Sequence, residues 1–330
     1  MTAALAERAW LAPLGWAFGA AAAARAAAYR RGLLGRARLR GPVISVGNLS
    51  VGGSGKTPLV ARLAELLRDA GRAVTVLSRG YGGDFAGEAL LVSDGRTVSA
   101  TAAEAGDEPV MLARELPGVM VVVGRRRDRA GRWAEAHFGP RVFLLDDGFQ
   151  HLRLERDLDL LCLDASDLAG RPLPAGRLRE FPRAAARADL VLLAADGALP
   201  AALGAGGLHR WRRRVVGFTD VEGAARPAPR QPFLVAGIAR PERFAADVAT
   251  RVARLAGQAW FRDHHRFTAA EVEACTRRAA DAGADALVIT AKDAVRWPAV
   301  LSSLPVLVLR IAAEIEDEEG LRQRLLAVAP

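Results

Sequence analysis

Val43-Ile44-Ser45-Val46-Gly47-Asn48-Leu49-Ser50-Val51-Gly52-Gly53-Ser54-Gly55-Lys56-Thr57-Pro58 is the stretch on which the fold turns. Val43 to Val46 is a short β-branched run that reads as a buried strand. After the glycines, Leu59, Val60, Leu63, Leu66 and Leu67 recur at helical spacing, with Pro58 in the first helical turn, where it costs no hydrogen bond. Strand, glycine loop and helix together aim backbone N–H groups and the helix dipole at an anion. Ser50, Val51, Gly52, Gly53, Ser54, Gly55, Lys56 and Thr57 are therefore read as a phosphate-binding loop. In such a loop the lysine reaches the β/γ-phosphates and the threonine hydroxyl ligates Mg²⁺. The general pattern has a glycine where this chain has Ser50. Of 46 basic residues only Lys56 and Lys292 are lysines, and a compact ammonium suits this cradle where a planar guanidinium does not. The sequence thus points to a nucleoside triphosphate.

Arg141 to Asp147 supports that reading, being an apolar strand that ends in two carboxylates. Asp146 or Asp147 at such a strand end is placed to hold the Mg²⁺ that bridges the phosphates. Upstream, Ala73 to Ser78 is a strand leading into Arg79-Gly80-Tyr81-Gly82-Gly83. Further strands are predicted at Val119 to Val123, Leu158 to Leu163 and Leu190 to Leu193. Alternation of strands with helical segments predicts an α/β fold, a parallel sheet with helices on both faces. Ligands bind such sheets at the carboxyl ends of the strands.

At 330 residues two domains are expected. Residues 41–210 form the phosphate-loop domain and 211–232, rich in Gly, Pro and Arg, a linker in which Val215 to Phe218 is a short strand. Residues 233–330 form a smaller α/β domain: strand Phe233 to Ala236, helices Pro241 to Leu255 and Ala269 to Ala282, and strands Ala286 to Thr290 and Val306 to Ile311. Residues 1–40 stand apart. The stretch 9–24 is uncharged and carries Trp10, Leu11, Leu14, Trp16 and Phe18; Arg25, Arg30, Arg31, Arg36, Arg38 and Arg40 follow it. Sixteen residues fall short of the roughly 20 that cross a bilayer. A helix lying in the interface fits instead, with tryptophans at headgroup depth and arginines on an anionic membrane surface. The net charge of +9 has no recognisable nucleic-acid motif behind it. Cys162 and Cys275 make no disulfide framework or metal spacing.

Other stretches are weak alone. Asp107 in Gly106-Asp107-Glu108-Pro109 reads by itself as a helix N-terminal residue. Arg177 to Glu180 and Arg125 to Arg129 read as charged surface, and His264-His265 as a loop. In sequence order, however, the loop, Ser78-Arg79-Gly80-Tyr81-Gly82, Gly106 to Pro109, Leu145-Asp146-Asp147-Gly148-Phe149-Gln150-His151, Pro174-Ala175-Gly176, Leu178-Arg179-Glu180, Asp263-His264 and Thr290-Ala291-Lys292-Asp293 form an ensemble. It closely resembles the tetraacyldisaccharide 4′-kinase family, the lipid A kinases of Gram-negative bacteria, from the N-terminal helix to about Asp293. Ser50 departs from the general loop but not from this family's pattern.

The resemblance implies ATP-dependent phosphorylation of the 4′-hydroxyl of an acylated glucosamine disaccharide 1-phosphate, giving lipid IVA, by a protein at the cytoplasmic face of the inner membrane. A monomer is expected. It implies that Asp107 is the general base and His264 its partner, joined when the two domains close. Lys56 and Thr57 hold phosphate and Mg²⁺, with Asp147, Asp146 and Glu180 completing the metal environment. Arg79, Tyr81, Gln150, His151 and Arg179 line the substrate site, and Lys292 makes an anionic contact. A partitioning-type ATPase or GTPase is the alternative; many of those carry an extra lysine at the position of Val51.

Overall fold

The computed structural model describes residues 9–52, 55–194, 207–300 and 302–329. The first part runs α1 (Ala12–Arg30), β1 (Val43–Asn48), α2 (Thr57–Asp69), β2 (Val74–Ser78), β3 (Leu90–Ser93), α3 (Ala102–Ala105), α4 (Asp107–Glu115), β4 (Met120–Val123), α5 (Arg127–Phe138), β5 (Val142–Asp146), β6 (Leu158–Leu163), β7 (Leu190–Ala194) and β8 (Leu208–Thr219). It continues β9 (Ala225–Arg226), β10 (Phe233–Ala236), α6 (Pro241–Ala249), β11 (Gly257–Trp260), α7 (Ala269–Asp281), β12 (Leu287–Thr290), α8 (Ala291–Ala294), β13 (Val306–Ile315) and α9 (Glu318–Val328).

These strands join one sheet in the order β11-β10-β12-β13-β8-β7-β6-β1-β5-β2-β4-β3, with β9 on β8. Pairing is parallel except where β3 meets β4, β13 meets β8 and β9 meets β8. The central strands β1, β5 and β6 are buried along their whole length, which is why they read as continuous apolar runs. One face packs on α2 and α4 through residues such as Leu63, Leu67 and Leu112. The other packs on α5 through Ala130 and Ala134. In the second half, α7 and α6 cover opposite faces of β10 and β12. Each fully buried aliphatic side chain adds about 1.5–3 kcal/mol, so these layers fix the strand order.

The expected linker begins as strand. β8 is 12 residues long and pairs antiparallel with β13 from Trp211↔Ile315 to Thr219↔Val308. Three consecutive arginines, Arg212 to Arg214, hide its alternation in the sequence. They lie between inward-facing Trp211 and Val215, and two of them face Glu314 across the pair, at 2.6 Å from Arg212 and 3.4 Å from Arg214. Trp211, Ala313 and Ile315 belong to the core of the first half, whereas Val215, Phe218, Leu307 and Leu309 belong to that of the second. The two halves therefore share these two strands. Helix Pro241 to Leu255 is shorter than expected and ends at Ala249.

β1 lies between β5 and β6, with Val46 opposite Asp146 and Asn48 opposite Cys162. β2 runs beside β5, and its Ser78 is opposite Val123 of β4. This register brings the phosphate loop, Asp146-Asp147, Arg79 to Gly83 and Arg125 to Arg127 to one edge of the sheet.

Candidate active site

Thr57 opens α2, and Pro58 occupies its first turn. Gly52 and Gly55 have φ of 95° and 70°, in the left-handed region that glycine enters without steric cost. Gly53 and Ser54, two of the expected phosphate-loop residues, lie outside the described residues. Ser50 is buried; Asn48 Nδ2 donates to its carbonyl at 2.8 Å and lies 3.2 Å from its hydroxyl. The Val51 N–H donates to the Arg177 carbonyl at 2.8 Å, and the Arg177 guanidinium returns a bond to the Val51 carbonyl. A serine in place of the usual glycine thus serves to brace the loop base.

Lys56 Nζ lies 3.0 Å from Asp147 Oδ1 and 3.4 Å from Asn48 Oδ1. Burial alone would lower its pKa, but Asp147 and Asp146 outweigh that and hold it above the ordinary lysine value. The two adjacent carboxylates diverge. Burial, then Glu108 and Asp147, push Asp146 up to about 6. Burial acts the same way on Asp147, yet Lys56 and Arg179 bring it down to about 2. Arg179 Nη1 donates to Asp147 Oδ2 at 2.7 Å. Asp147 itself has φ 55°, a strained conformation for a non-glycine residue.

Among the described residues no group of three or more His, Cys, Asp or Glu is arranged to hold a metal ion. The donor set nevertheless suits Mg²⁺. This ion takes one or two protein carboxylates and fills its octahedron with phosphate oxygens and water. Asp146 is a buried carboxylate short of compensating positive charge, as a cation site requires. Glu180 does not join it: Arg187 takes both carboxylate oxygens at 2.7 and 2.9 Å, and Gln150 Nε2 lies 3.2 Å from one. No motif in the sequence marks Arg187 as that partner.

A cavity of about 770 Å³ opens between the two halves, within the range that encloses small ligands. Lys56, Thr57, Asp147, Arg179 and Gln150 line its floor, with Arg79 and Tyr81 on the same half. His151 does not line it; the ring sits behind, with Nε2 3.9 Å from Asp128. Burial, with Arg127 nearby, pushes its pKa down to about 3. Arg127 is itself buried, its Nη2 3.5 Å from the Asp147 carbonyl, and its pKa falls to about 10 through burial.

The second half supplies the opposite wall. Arg213, Arg240 and Arg243 line it there; none carried a motif in the sequence. A Cβ added at Gly55 would meet Arg213 Cδ at 3.4 Å and Arg243 Nη1 at 3.6 Å.

Asp107 opens α4 behind Gly106, whose φ is 86° and where a Cβ would meet the Tyr81 carbonyl at 2.4 Å. Only glycine fits there, so the start of α4 is pinned against the Arg79 to Gly83 loop. Asp107 is buried, and its Oδ2 lies 2.7 Å from His264 Nδ1. The expected pair from the two halves is therefore joined in this structure. His264 lines the cavity with Asp107 behind it. Burial raises the Asp107 pKa, but the His264 bond and the charges of Arg296, His264 and Lys292 hold it below the usual carboxylate value. Lys292 Nζ lies 3.4 Å from His264 Nε2, 3.7 Å from Asp263 and 3.8 Å from Glu108.

A family model described as tetraacyldisaccharide-1-P 4′-kinase matches residues 7–329. The tetraacyldisaccharide 4′-kinase of Geobacter metallireducens is 46% identical over 295 residues, 86% of each chain. That of Anaeromyxobacter sp. (strain K) is 44% identical over 340 residues, 95% of this chain and 89% of the relative. A crystal structure of the "apo" form of LpxK from Aquifex aeolicus in complex with ATP matches with a TM-score of 0.83 at 31% identity, covering 98% of this chain and 99% of that one.

Proposed function

The chain belongs to the tetraacyldisaccharide-1-P 4′-kinase family, and from that premise we propose how its own residues carry the reaction. The protein is an ATP-dependent kinase of lipid A biosynthesis; it phosphorylates the 4′-hydroxyl of an acylated disaccharide 1-phosphate. The partitioning-type ATPase reading is set aside by that membership.

The loop from Ser50 to Thr57 would cradle the ATP phosphates, with Lys56 reaching the β- and γ-groups. Thr57 and Asp147, with Asp146 beside them, would hold Mg²⁺, which would supply charge neutralisation for the transferring phosphoryl group. The disaccharide enters between the halves, its 4′-hydroxyl toward His264 and its sugar and phosphate against Arg79, Tyr81, Gln150 and Arg179. The hydroxyl oxygen bonds to the γ-phosphorus as the bond to the β,γ-bridging oxygen breaks, and ADP leaves. The hydroxyl proton passes to the Asp107–His264 pair, with Asp107 the base that bears the negative charge. An Asp107 held below the ordinary carboxylate range is a weak base, so alignment and charge neutralisation carry most of the acceleration.

The observation that carries this reading is the 2.7 Å contact of Asp107 with His264, which lines the same cavity as Lys56 and Asp147. Residues 41–210 and 233–330 act as two halves that close over the site, which excludes the water that would intercept the phosphoryl group. The protein works as a monomer on the cytoplasmic face of the inner membrane, with α1 on an anionic lipid surface. In an assay with ATP, Mg²⁺ and tetraacyldisaccharide 1-phosphate, Asp107→Asn and Lys56→Ala should each lower kcat by about 10²–10⁴-fold. Full lipid phosphorylation by Asp107→Asn would remove the base from this scheme.

A further inference from the structure

Arg296 lies just past α8, its side chain 3% exposed, with Nε 3.4 Å from Asp107 Oδ2. Its Nη2 donates to Asp293 Oδ1 at 2.8 Å and to the Gly237 carbonyl at 3.1 Å. That same carbonyl accepts the His264 backbone N–H at 3.1 Å, and the Gly237 N–H donates to Asp293 Oδ1 at 3.1 Å. His264 Nδ1 meets the oxygen of Asp107 that Arg296 also approaches. The contacts close a ring: Asp107, Arg296, Asp293, Gly237, His264.

Two features separate this ring from an ordinary buried ion pair. His264 has φ 60°, a left-handed conformation that is strained for a non-glycine residue and persists only where its surroundings impose it. Asp293 is fully buried, and its second oxygen takes the Thr290 hydroxyl at 2.6 Å. It is thereby fixed from both sides and can hold the guanidinium in one orientation. α8 packs against α4, and Arg114 of α4 reaches the Ala294 carbonyl at 3.4 Å, so the brace spans the two halves where the pair forms.

We propose that Arg296, braced by Asp293, is a positioning residue for phosphoryl transfer: it fixes the Asp107 carboxylate and, through Gly237, the backbone of His264. The inference rests on the reading of Asp107–His264 as the proton acceptor. A guanidinium suits the task because Nη2 bonds both Asp293 and the Gly237 carbonyl while Nε, on the same rigid plane, makes an ion pair with Asp107 at 3.4 Å without a hydrogen bond; an ammonium supplies charge without that planar spacing. Charged groups around the pair are His264 and Asp263 on one loop, Lys292, Asp293 and Arg296 on the segment after β12, and Glu108 on α4 itself. Of these, Arg296, His264 and Lys292 favour the ionised Asp107. Loss of Arg296 therefore moves Asp107 ionisation to higher pH.

The test compares Arg296→Gln, Arg296→Lys, Asp293→Asn and Asp107→Asn in the full chain by lipid phosphorylation kinetics, pH profile and thermal melting. Arg296→Gln should lose about 10–100-fold in kcat, with KM for ATP and lipid within about twofold, because only alignment of the acceptor is lost. The acid limb of its kcat profile should rise by about one pH unit. Arg296→Lys should restore the limb and about tenfold of the rate, since it returns the charge without the fork. Asp293→Asn should lower kcat with KM unchanged. A folded Arg296→Gln with wild-type kcat and acid limb would overturn the proposal. So would a loss tracking only the folded fraction, with the limb unmoved and no rescue by lysine. Should Arg296→Gln not fold, Arg296→Lys and Asp293→Asn are judged alike: wild-type kcat in both overturns it. An active Asp107→Asn would sink the underlying reading of the pair, whereas an inactive Asp107→Asn beside a fully active Arg296→Gln would sink only this inference.

Discussion

Lys56 and Asp147 show how a single residue acquires its chemistry from neighbours that the chain brings from afar. The loop motif identifies Lys56, and the strand end identifies Asp146 and Asp147. Their division of labour, one carboxylate at about 2 and the other at about 6, depends on depth of burial, on Lys56 and Arg179 beside Asp147, and on Glu108 near Asp146. Glu180 and His151 mark the opposite case, in which a motif residue turns away from the cavity, toward Arg187 and Asp128. His151 carries a pH prediction. Folded, it stays neutral down to about pH 3; unfolded, it takes a proton below its ordinary value of about 6.5. The unfolded state then binds more protons, so stability falls as pH drops below about 6.5, by up to about 1.4 kcal/mol per pH unit. Melting temperatures at pH 7.5 and 5.0 should differ less for His151→Gln than for the native chain. An equal drop in both would show that His151 is not the sensing group.

Helix α1 shows what an element gains from its docking. It packs through Gly15 against Pro172 and Ala175, and through Gly19 against Phe181, with Ala26 and Tyr29 against Leu152. Arg25 donates to the Gln150 carbonyl at 3.2 Å, so the helix is tied to the loop that lines the site. Trp10, Leu14, Trp16 and Phe18 remain exposed, the two tryptophans at 76% and 68%. No described helix is long and apolar enough to cross a membrane. Exposed tryptophans beside arginines are what an interfacial helix presents to lipid. Replacing Trp10 and Trp16 together by serine should weaken flotation with anionic vesicles at least about tenfold, a change of ~1.4 kcal/mol, with activity on detergent-dispersed lipid retained. Undiminished flotation would mean these rings do not touch the bilayer. The uncharged tryptophan-bearing stretch and the arginines after it were legible in the sequence, but not the glycine face that docks the helix, because close approach depends on what lies opposite. β8 was hidden for a related reason: three arginines mask its alternation until Glu314 and Asp247 are placed beside them, Arg213 lying 2.9 Å from Asp247.

At the scale of the molecule, two halves share one sheet. β8 and β13 each contribute to both hydrophobic cores, so neither half can lose its packing without exposing residues of the other. Calorimetric unfolding should therefore show one cooperative transition, with equal calorimetric and van't Hoff enthalpies, moved to higher temperature by ATP with Mg²⁺. Two resolved transitions would show that the halves fold separately and that closure is a motion between independent units. The same continuity explains how Asp107 and His264, 157 positions apart, meet without an extended linker. The sequence by itself determined the parallel sheet, the phosphate loop and the carboxylates at the end of β5, because local periodicity and fixed spacing encode strands, helices and the loop between them; Asp107 and His264 stood out only through the family resemblance, since alone they read as a helix start and a loop. Only the tertiary structure placed Arg296 and Asp293 beside Asp107 and His264, Glu180 on Arg187, and β8 between the halves. Those roles come from partners distant in sequence, and a charged side chain's role is set by its neighbours in space.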